Sequence, residues 1–491
     1  MGLGDKVAFI DSDREITYSD LKDASCQVAN LLERLEIGRE CRIAMLMLDT
    51  IDFPILFWGA IRAGVIPVPL NTLLSSSQYE YILDDARAEA LFVSSALLPV
   101  VSACFDKLPS LRHVVVCDGD AEQDMSFTQM LERESKEYET AKTLADEVAF
   151  WLYSSGSTGM PKGVLHVHSS LRVTAENYGV ETLGIREDDV VFSAAKLFFA
   201  YGLGNAMTFP IAVGATAILF EGRPTPETVF NALKSHQPTI FFGVPTLYAA
   251  MLNDQLCTPE NSSARLRLCV SAGEALPEET GKTWKERFGV DVLDGIGSTE
   301  LLHIFVSNRP GEVRYGSSGV PVPGYSAKLL DEHGQEAANG EIGELLIKGA
   351  SAANEYWNQR FKSRATFEGE WTRTGDKYTR DEDGYYQYCG RTDDMFKVSG
   401  IWVSPFEVES ALMSHEAVLE AAVVPQENDV GLVHPKAYIV LREGASQEGL
   451  FETLKEHVKA EIGKWKYPRE IDIQNELPKT ATGKIQRFKL R

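Results

Sequence analysis

The feature that most constrains this fold is a repeated alternation of short apolar runs with segments of helical periodicity. Such nearly continuous runs are typical of strands that are buried on both faces of a sheet. Before residue 275 they are RIAMLML, ALFVSS, HVVVCD, VAFWLY, GATAILF, PTIFFGV and LRLCVSA. A helix with a leucine-rich face is expected between Leu21 and Leu35, with Ser19 as its N-cap. Strand and helix in alternation predict doubly wound α/β layers.

The pattern changes near residue 340. The segments EIGELLIKG and GYYQYCG, with the turns EHG and DEDG, predict a small antiparallel β unit. A turn, a helix, two strands, an amphipathic helix and a basic end then follow in about a hundred residues, enough for an independent domain. The sequence therefore predicts an α/β protein with a large N-terminal domain (1–392) that includes the β unit, and a small α+β C-terminal domain (393–491).

Charge and cysteine usage disfavour several classes of protein. The chain has 48 Lys and Arg against 71 Asp and Glu, a formal net charge of -23, so nucleic acids and anionic membranes are unfavourable partners. Seven scattered cysteines without a C-x-x-C pair favour free thiols over disulfides or a zinc site. The start lacks the apolar core of a signal peptide, and Asp52, Pro54, Arg62 and Gly64 interrupt the longest apolar run. We expect a cytoplasmic protein that does not span a membrane.

A loop rich in glycine and hydroxyl residues follows the run VAFWLY, and Lys162 lies just beyond it. The loop consists of Ser154, Ser155, Gly156, Ser157, Thr158 and Gly159. Backbone N–H groups, hydroxyls and a lysine suit the oxygens of a polyphosphate, although loops of this composition are often only polar surface loops. The spacing of a Walker A motif is absent, so a P-loop NTPase is disfavoured.

The loop, in the form S-S-G-S-T-G-x-P-K-G, resembles the signature loop of the acyl-adenylate-forming enzymes, a family that includes acyl-CoA synthetases, adenylation domains of peptide synthetases and luciferases. Further segments resemble that family's elements in the same order: Ser271-Ala272-Gly273-Glu274, Gly297-Ser298-Thr299-Glu300, Thr374-Gly375-Asp376, Gly390-Arg391-Thr392-Asp393 and Pro478-Lys479-Thr480-Ala481-Thr482-Gly483-Lys484. Ordered motifs over nearly the whole chain identify it as a member of this family.

The resemblance implies a site for ATP. Thr299 would hold the α-phosphate, Glu300 would hold a Mg²⁺ that bridges phosphate oxygens, and Lys484 would bridge the substrate carboxylate and the α-phosphate. Asp376 would accept hydrogen bonds from the ribose hydroxyls, and Arg391 would reach the ribose and phosphate. The other residues implied to bind ATP or AMP are those of the loop, Lys162, Gly273, Glu274, Asp294, Gly295, Ile296, Gly297 and Ser298.

The same resemblance implies that the C-terminal domain is mobile. It would rotate about a hinge at Asp393 and replace Lys484 by the face that carries Ser399 and Gly400. The small glycine would leave room for the pantetheine arm of coenzyme A. From the tail alone, Lys484 is one lysine of a basic end, and its catalytic role depends on the family motif.

Two segments, residues 196–205 and 294–305, resemble the benzoate-CoA ligase subgroup of the family. That resemblance implies a short, flat, mostly apolar acyl pocket lined by Ala200, Tyr201, Gly202, Ala272, Gly297, His303 and Ile304. Without the resemblance, such residues would be assigned to a hydrophobic core and His303 to a core hydrogen bond. Phe199 stands where peptide-synthetase domains usually have an Asp for the amino group of the substrate, which argues against amino acids.

The sequence therefore predicts an ATP-dependent aryl-CoA ligase that activates benzoate as its acyl-AMP and transfers it to coenzyme A. 2-Aminobenzoate and hydroxybenzoates stay open as substrates, because an apolar pocket discriminates weakly against an added hydroxyl. The alternative classes are a stand-alone adenylating protein that loads a carrier protein and a non-enzymatic nucleotide-binding protein. The expected ligands are a small aromatic acid, ATP, Mg²⁺ and coenzyme A, and a homodimer is left open.

Overall fold

The computed structural model describes residues 2–118, 126–154, 160–392, 394–398, 401–427, 433–463, 466–479 and 485–490. Its strands are β1 (Val7–Ile10), β2 (Glu15–Thr17), β3 (Arg42–Leu46), β4 (Ile66–Pro69), β5 (Ala90–Val93), β6 (His113–Val116), β7 (Val148–Ser154), β8 (Lys162–Val167), β9 (Val190–Ser193), β10 (Thr216–Ile218), β11 (Ile240–Gly243), β12 (Leu268–Ser271), β13 (Val292–Gly297), β14 (Ile304–Ser307), β15 (Val320–Pro321), β16 (Ser326–Leu330), β17 (Gly343–Lys348), β18 (Phe367–Glu368), β19 (Trp371–Arg380), β20 (Tyr386–Arg391), β21 (Phe396–Val398), β22 (Ile401–Val403), β23 (Val418–Glu427), β24 (Val433–Leu441) and β25 (Glu470–Ile473). Its α-helices are α1 (Tyr18–Arg34), α2 (Asp52–Ala63), α3 (Ser76–Asp85), α4 (Leu98–Val101), α5 (Phe127–Glu132), α6 (His168–Thr174), α7 (Ala200–Leu203), α8 (Phe209–Val213), α9 (Pro226–His236), α10 (Pro245–Leu252), α11 (Glu278–Phe288), α12 (Arg360–Thr366), α13 (Pro405–Met413) and α14 (Leu450–Ile462).

Two sheets form the N-terminal α/β layers. One has the strand order β15-β14-β13-β12-β11-β9-β10-β1-β2, and the other has the order β4-β3-β5-β6. Neighbours from β13 to β1 in the first sheet, and all neighbours in the second, pair in parallel. Every residue of β5, β11 and β12 is buried, as expected of parallel strands covered by helices on both faces. The predicted doubly wound layers are confirmed.

Strand β7, the run VAFWLY, differs from the other strands marked by continuous apolar runs, because it does not belong to a parallel sheet. It pairs antiparallel with β8, and Ser154 at its end lies opposite Lys162 at the start of β8. The apolar run is explained by burial between core layers, since Ala149 to Leu152 are all buried. This ribbon carries the glycine-rich loop at its closed end.

The N-cap of the first helix lies two residues earlier than predicted. Thr17, not Ser19, caps α1, because its extended backbone lets its hydroxyl oxygen accept the N–H of Asp20 at 3.1 Å. Ser19 lies inside the first turn, where no capping bond is needed from it. The prediction of Ser19 as the N-cap was therefore wrong, while the apolar face is confirmed: Leu21, Leu31 and Leu32 are buried.

Two smaller units, an antiparallel β unit and a C-terminal α+β unit, come after the N-terminal α/β layers in the chain. The predicted antiparallel β unit is a sheet in the order β16-β17-β19-β18, in which β19 also pairs with β20. Beyond it, β21 pairs with β22, and β23, β24 and β25 form a sheet that packs against α13 and α14. The buried residues of this last unit form their own cluster, which includes Val408, Val423 and Leu454. The domain boundary at residues 392 and 393 and the mobility of the C-terminal domain stay predictions.

The structure bears on two further expectations, the state of the cysteines and the presence of membrane-spanning helices. All seven cysteines lie within the described ranges as free thiols, and only Cys41 is partly exposed. None of the helices within those ranges is long and apolar enough to cross a membrane.

Candidate active site

The predicted site residues gather at the carboxyl ends of β12 and β13, the edge at which open α/β sheets bind ligands. Ala272, Gly273 and Glu274 directly follow β12, and Ser298, Thr299 and Glu300 directly follow β13. Gly273 has φ 98, a left-handed conformation that favours glycine. The parallel pairing of the two strands places both motifs side by side.

The antiparallel pairing of β13 with β14 brings the predicted pocket residues close together. Gly297 pairs with Ile304, and a Cβ on Gly297 would lie 2.7 Å from His303 O. A Cβ on Gly295 would lie 3.0 Å from Val306 O. Only glycine permits this close approach of the two backbones, which explains why both positions lack a side chain.

A 3₁₀ turn between β13 and β14 separates the predicted phosphate and acyl sites. It spans Thr299–Leu301 and is followed by Leu302, which has φ 65. A left-handed conformation costs a residue other than glycine on the order of 1–2 kcal/mol, and such strain is concentrated at functional sites. The backbone reverses here between Glu300, predicted to bind Mg²⁺, and His303, predicted to line the acyl pocket. Nothing in the sequence around Leu302 indicated this conformation.

Glu300 and Lys162 both contact Tyr356, a residue that the sequence analysis did not identify. The Tyr356 hydroxyl donates to Glu300 Oε1 at 2.8 Å, and Lys162 Nζ lies 4.0 Å from the centroid of the Tyr356 ring. Burial lowers the pKa of Lys162; the Glu300 charge opposes that shift, whereas Arg391 and Lys362 add to it. Lys162 and Arg391 thus both lie within electrostatic reach of the Glu300 carboxylate, an arrangement that suits a polyphosphate with its metal ion.

The side chains of the predicted site suit a Mg²⁺ ion that binds together with ATP better than a metal ion that is held by protein ligands alone. Within the described ranges there is no group of three or more His, Cys, Asp or Glu side chains that could hold a metal ion. Mg²⁺ is usually held by one or two carboxylates together with substrate phosphates. Glu300, partly exposed beside Lys162, is therefore a suitable protein ligand for an ion that arrives with ATP.

Asp376 and Arg391 lie opposite each other on β19 and β20. Arg391 Nη1 donates to Asp376 Oδ1 at 3.0 Å and to Thr374 O at 3.0 Å. The Asp376 carboxylate raises the pKa of Arg391, despite the opposing effect of burial. The structure thus brings the two predicted ribose and phosphate contacts into one ion pair at the rim of the site.

Three buried hydroxyls at the strand ends have no hydrogen-bond partner among the described residues: Ser154, Ser271 and Ser298. Buried polar groups are nearly always paired, so these hydroxyls are available to ligand oxygens or nitrogens. Two of them were predicted to bind ATP.

Asp294, also predicted to bind ATP, has hydrogen-bond partners in the structure. Its buried carboxyl accepts from Leu276 N–H at 3.2 Å and from the Ser318 hydroxyl at 3.4 Å, and burial raises its pKa.

Tyr201 and His303 form the aromatic part of the predicted acyl pocket. The Tyr201 hydroxyl lies 3.2 Å from Gly243 O and 3.3 Å from Val270 O. Because the hydroxyl hydrogen-bonds to backbone carbonyls, a ligand would contact the face of the ring. His303 Nε2 lies 3.2 Å from Tyr201 O and 3.1 Å from Asn205 Oδ1. These two acceptors place the proton on Nε2, and burial lowers the pKa of His303 to about 3.

The remaining pocket residues are small or deeply buried. Ala272 and Ile304 are buried, and a Cβ on Gly202 would lie 2.6 Å from Ala195 O. Ala200 begins α7, which continues through a π-helical turn at Gly204–Thr208 into α8. π-Helical turns occur frequently at functional sites. This one contains Asn205, the partner of His303.

Several predicted residues lie outside the described ranges. They are Ser155, Gly156, Ser157, Thr158 and Gly159 of the loop, the hinge residue Asp393, the tunnel residues Ser399 and Gly400, and the catalytic Lys484. The segments on either side of Lys484 are described: Lys479 pairs with Ile485, and Gln486 N–H donates to Pro478 O at 2.8 Å. Arg487 forms two hydrogen bonds with the buried Glu409, at 3.0 and 2.7 Å.

The chain matches the AMP-binding enzyme family over residues 2–357 and the AMP-binding enzyme C-terminal domain over residues 407–484. It is 57% identical over 492 residues to the 4-hydroxybenzoate–CoA/benzoate–CoA ligase of Rhodopseudomonas palustris, covering 100% of this chain and 91% of that protein. It is 55% identical over 493 residues to the benzoate–CoA ligase of Thauera aromatica, with coverage of 100% and 93%. The crystal structure of a benzoate CoA ligase from Burkholderia xenovorans LB400 superposes with a TM-score of 0.93 at 49% identity, over 99% of this chain and 97% of that one. The chain belongs to the AMP-binding enzyme family, and its predicted place in the benzoate-CoA ligase subgroup is confirmed.

Proposed function

We propose that this protein is an ATP-dependent aryl-CoA ligase that activates benzoate as benzoyl-AMP and transfers the benzoyl group to coenzyme A. The observation that carries the proposal is the arrangement around one 3₁₀ turn: Glu300 lies within the turn, near Lys162 and Arg391, and His303 follows it, packed against Tyr201. A carboxylate bound on one side then meets the α-phosphate of ATP bound on the other. The predicted AMP-forming acid–thiol ligase is confirmed by relatives that match the full chain.

The chemistry assigns a task to each group. The benzoate carboxylate attacks the α-phosphorus of ATP and pyrophosphate leaves, so two anions must approach each other while charge develops on phosphoryl oxygens. Thr299, Lys162, Arg391 and Lys484 would supply donors and positive charge there, and Glu300 would hold Mg²⁺, which neutralises phosphate oxygens when bound. In the second step the coenzyme A thiol attacks the acyl carbonyl and AMP leaves.

The shape and polarity of the slot support a small aromatic acid as the substrate. Its walls are a tyrosine ring, a neutral histidine and residues without long side chains, and Tyr201 uses its hydroxyl on backbone carbonyls. The substrate proposed first is therefore benzoate itself.

A hydroxybenzoate is the second candidate, because one observation favours it. With the proton on Nε2, His303 Nδ1 is a buried acceptor without a partner among the described residues. A ring hydroxyl is a donor of the kind that such a nitrogen pairs with. The name of the Rhodopseudomonas palustris relative includes both 4-hydroxybenzoate and benzoate.

ATP–pyrophosphate exchange with a panel of acids tests the substrate: benzoate, 4-hydroxybenzoate, 3-hydroxybenzoate, 2-aminobenzoate, cinnamate and hexanoate. We expect the highest kcat/KM with benzoate, and preference for hexanoate would contradict the pocket assignment. Thioester formation with free coenzyme A, compared with a set of carrier proteins, separates the ligase from a carrier-loading enzyme. The hinge at Asp393, the coenzyme A contacts of Ser399 and Gly400, the homodimer and the cytoplasmic location stay predictions.

A further inference from the structure

Tyr356 contacts two oppositely charged groups of the phosphate site through two different parts of its side chain. Its hydroxyl donates to Glu300 Oε1 at 2.8 Å, and its ring face lies 4.0 Å from Lys162 Nζ. Cation–π contacts are strongest when both partners are shielded from water, and Tyr356 is 3% exposed. One buried side chain therefore determines where both charges stand.

The backbone around Tyr356 is tied to both elements that carry these charges. Tyr356 pairs with Val164 of β8, two residues beyond Lys162, and Trp357 N–H donates to Gly163 O at 2.8 Å. On the other side, Ala353 N–H donates to Glu300 O at 2.8 Å. The ring also packs against Phe367, with the two centroids 5.4 Å apart. Tyr356 is thus fixed in place by contacts that do not involve a substrate.

Without such a fixed spacer, Lys162 and Glu300 would attract each other directly. Opposite charges in a partly buried site form close ion pairs, and a closed pair would occupy the space that a metal-bound polyphosphate needs. The hydroxyl gives the carboxylate a neutral partner, and the ring gives the ammonium another.

We propose that Tyr356 is a positioning residue for the first half-reaction: it holds the Glu300 carboxylate and the Lys162 ammonium apart, oriented to receive metal-bound pyrophosphate oxygens. This inference rests on the proposed function, because it needs ATP and Mg²⁺ at this site. Transfer of the acyl group from acyl-AMP to coenzyme A involves neither pyrophosphate nor Mg²⁺, and it should not depend on the tyrosine hydroxyl.

The test compares Tyr356→Phe with the wild-type protein in the two half-reactions. The variant keeps the ring over Lys162 and removes only the bond to Glu300. We expect ATP–pyrophosphate exchange with benzoate to fall about 10- to 100-fold, the scale of a lost hydrogen bond to a charged group, with a higher Mg²⁺ concentration for half-saturation. Thioester formation from synthetic benzoyl-AMP and coenzyme A should stay at the wild-type rate.

Tyr315→Phe is the matched control, because the Tyr315 hydroxyl also donates to a carboxylate, Asp291 Oδ1 at 2.7 Å, outside the predicted site. It should leave the Mg²⁺ dependence unchanged.

Equal loss in both half-reactions, or an unchanged Mg²⁺ dependence in Tyr356→Phe, overturns the positioning role. Should Tyr356→Phe not fold, Phe367→Leu keeps the hydroxyl but loosens the ring, and it should raise the Mg²⁺ requirement to a smaller extent; no change in that requirement would equally refute the proposal. A wild-type protein inactive with every aromatic acid would contradict the proposed function itself.

Discussion

Gly204→Ala should disturb benzoate binding by adding a single methyl group behind the predicted pocket. The new Cβ would lie 2.6 Å from His303 Nε2 and 2.9 Å from Phe209 Cζ, whereas ordinary contacts begin at 3.4 Å. The overlap with His303 Nε2 is therefore 3.4 minus 2.6, or 0.8 Å. The histidine cannot retreat freely, because Phe209 and Tyr178 pack against its ring with centroids 4.5 and 5.2 Å away. We therefore expect the ring to shift within the predicted acyl pocket.

Two effects follow, and they can be measured separately. Overpacking of this kind typically costs about 1–3 kcal/mol of stability, which thermal unfolding would show as a lower Tm. A displacement of roughly 1 Å at a reacting site can cost about 10²-fold in rate, so we expect a loss of this order in kcat/KM for benzoate, with the KM for ATP unchanged. Steady-state kinetics with each substrate varied in turn would check this.

Gly281→Ala is the matched control for that experiment. Its Cβ would overlap the ring of Tyr315 to a similar degree, but α11 contributes none of the predicted pocket residues. It should lower Tm and leave the KM for benzoate unchanged. If Gly204→Ala loses stability as Gly281→Ala does and yet retains the wild-type kcat/KM for benzoate, His303 does not line the acyl pocket and the reasoning is refuted.

Three further predictions concern individual residues. Tyr201→Phe should cost about 1–2 kcal/mol of unfolding free energy, since a buried hydroxyl bonded to backbone carbonyls is lost, with little change in the KM for benzoate; a tenfold rise in KM would place the hydroxyl on the substrate. Burial lowers the pKa of His166 from its ordinary value of 6.5 to about 3, so the stability that its neutral form gives above pH 6.5 is lost as the pH falls towards 3. His166→Phe should therefore reduce the loss of stability between pH 6.5 and 5 by about 2 kcal/mol in urea titrations, and an unchanged loss would contradict the assignment. Lys484→Ala should lose about 10²- to 10³-fold in adenylation and much less in thioester formation from preformed acyl-AMP, whereas equal losses would argue against its catalytic role.

Much of the fold could be predicted because the signals are local. Continuous apolar runs mark β3, β5, β11 and β12 since parallel strands are covered on both faces. The N-cap of α1 was misplaced because Thr17 and Ser19 both have hydroxyls in a suitable sequence context. Only the extended backbone of Thr17 decides between them, and neither composition nor periodicity encodes it.

The site was predicted where residues occur in short motifs and missed where contacts are distant in sequence. Glu300, Asp376 and Arg391 each stand in a recognisable motif, and the structure brings Glu300 and Arg391 close to Lys162 and pairs Asp376 with Arg391. Tyr356 was missed because its significance arises from pairing with β8, far away along the chain. Its own surroundings, the segment NEYWN, contain no pattern typical of phosphate binding.

The extended segment that contains Tyr356 constrains chain length as well as residue identity. Neighbouring side chains in such a segment point to opposite sides: Tyr356 faces Lys162, whereas Trp357 packs against Trp151, 4.7 Å between centroids, and donates its indole N–H to Asp85 O. Deleting one residue before this point would bring Trp357 to the place of Tyr356, so that Glu300 would meet an indole instead of a phenol, and inserting one would bring Glu355 there. Among related sequences, the exact number of residues leading from β17 to this tyrosine is therefore a more telling mark of a working phosphate site than overall similarity in the same region.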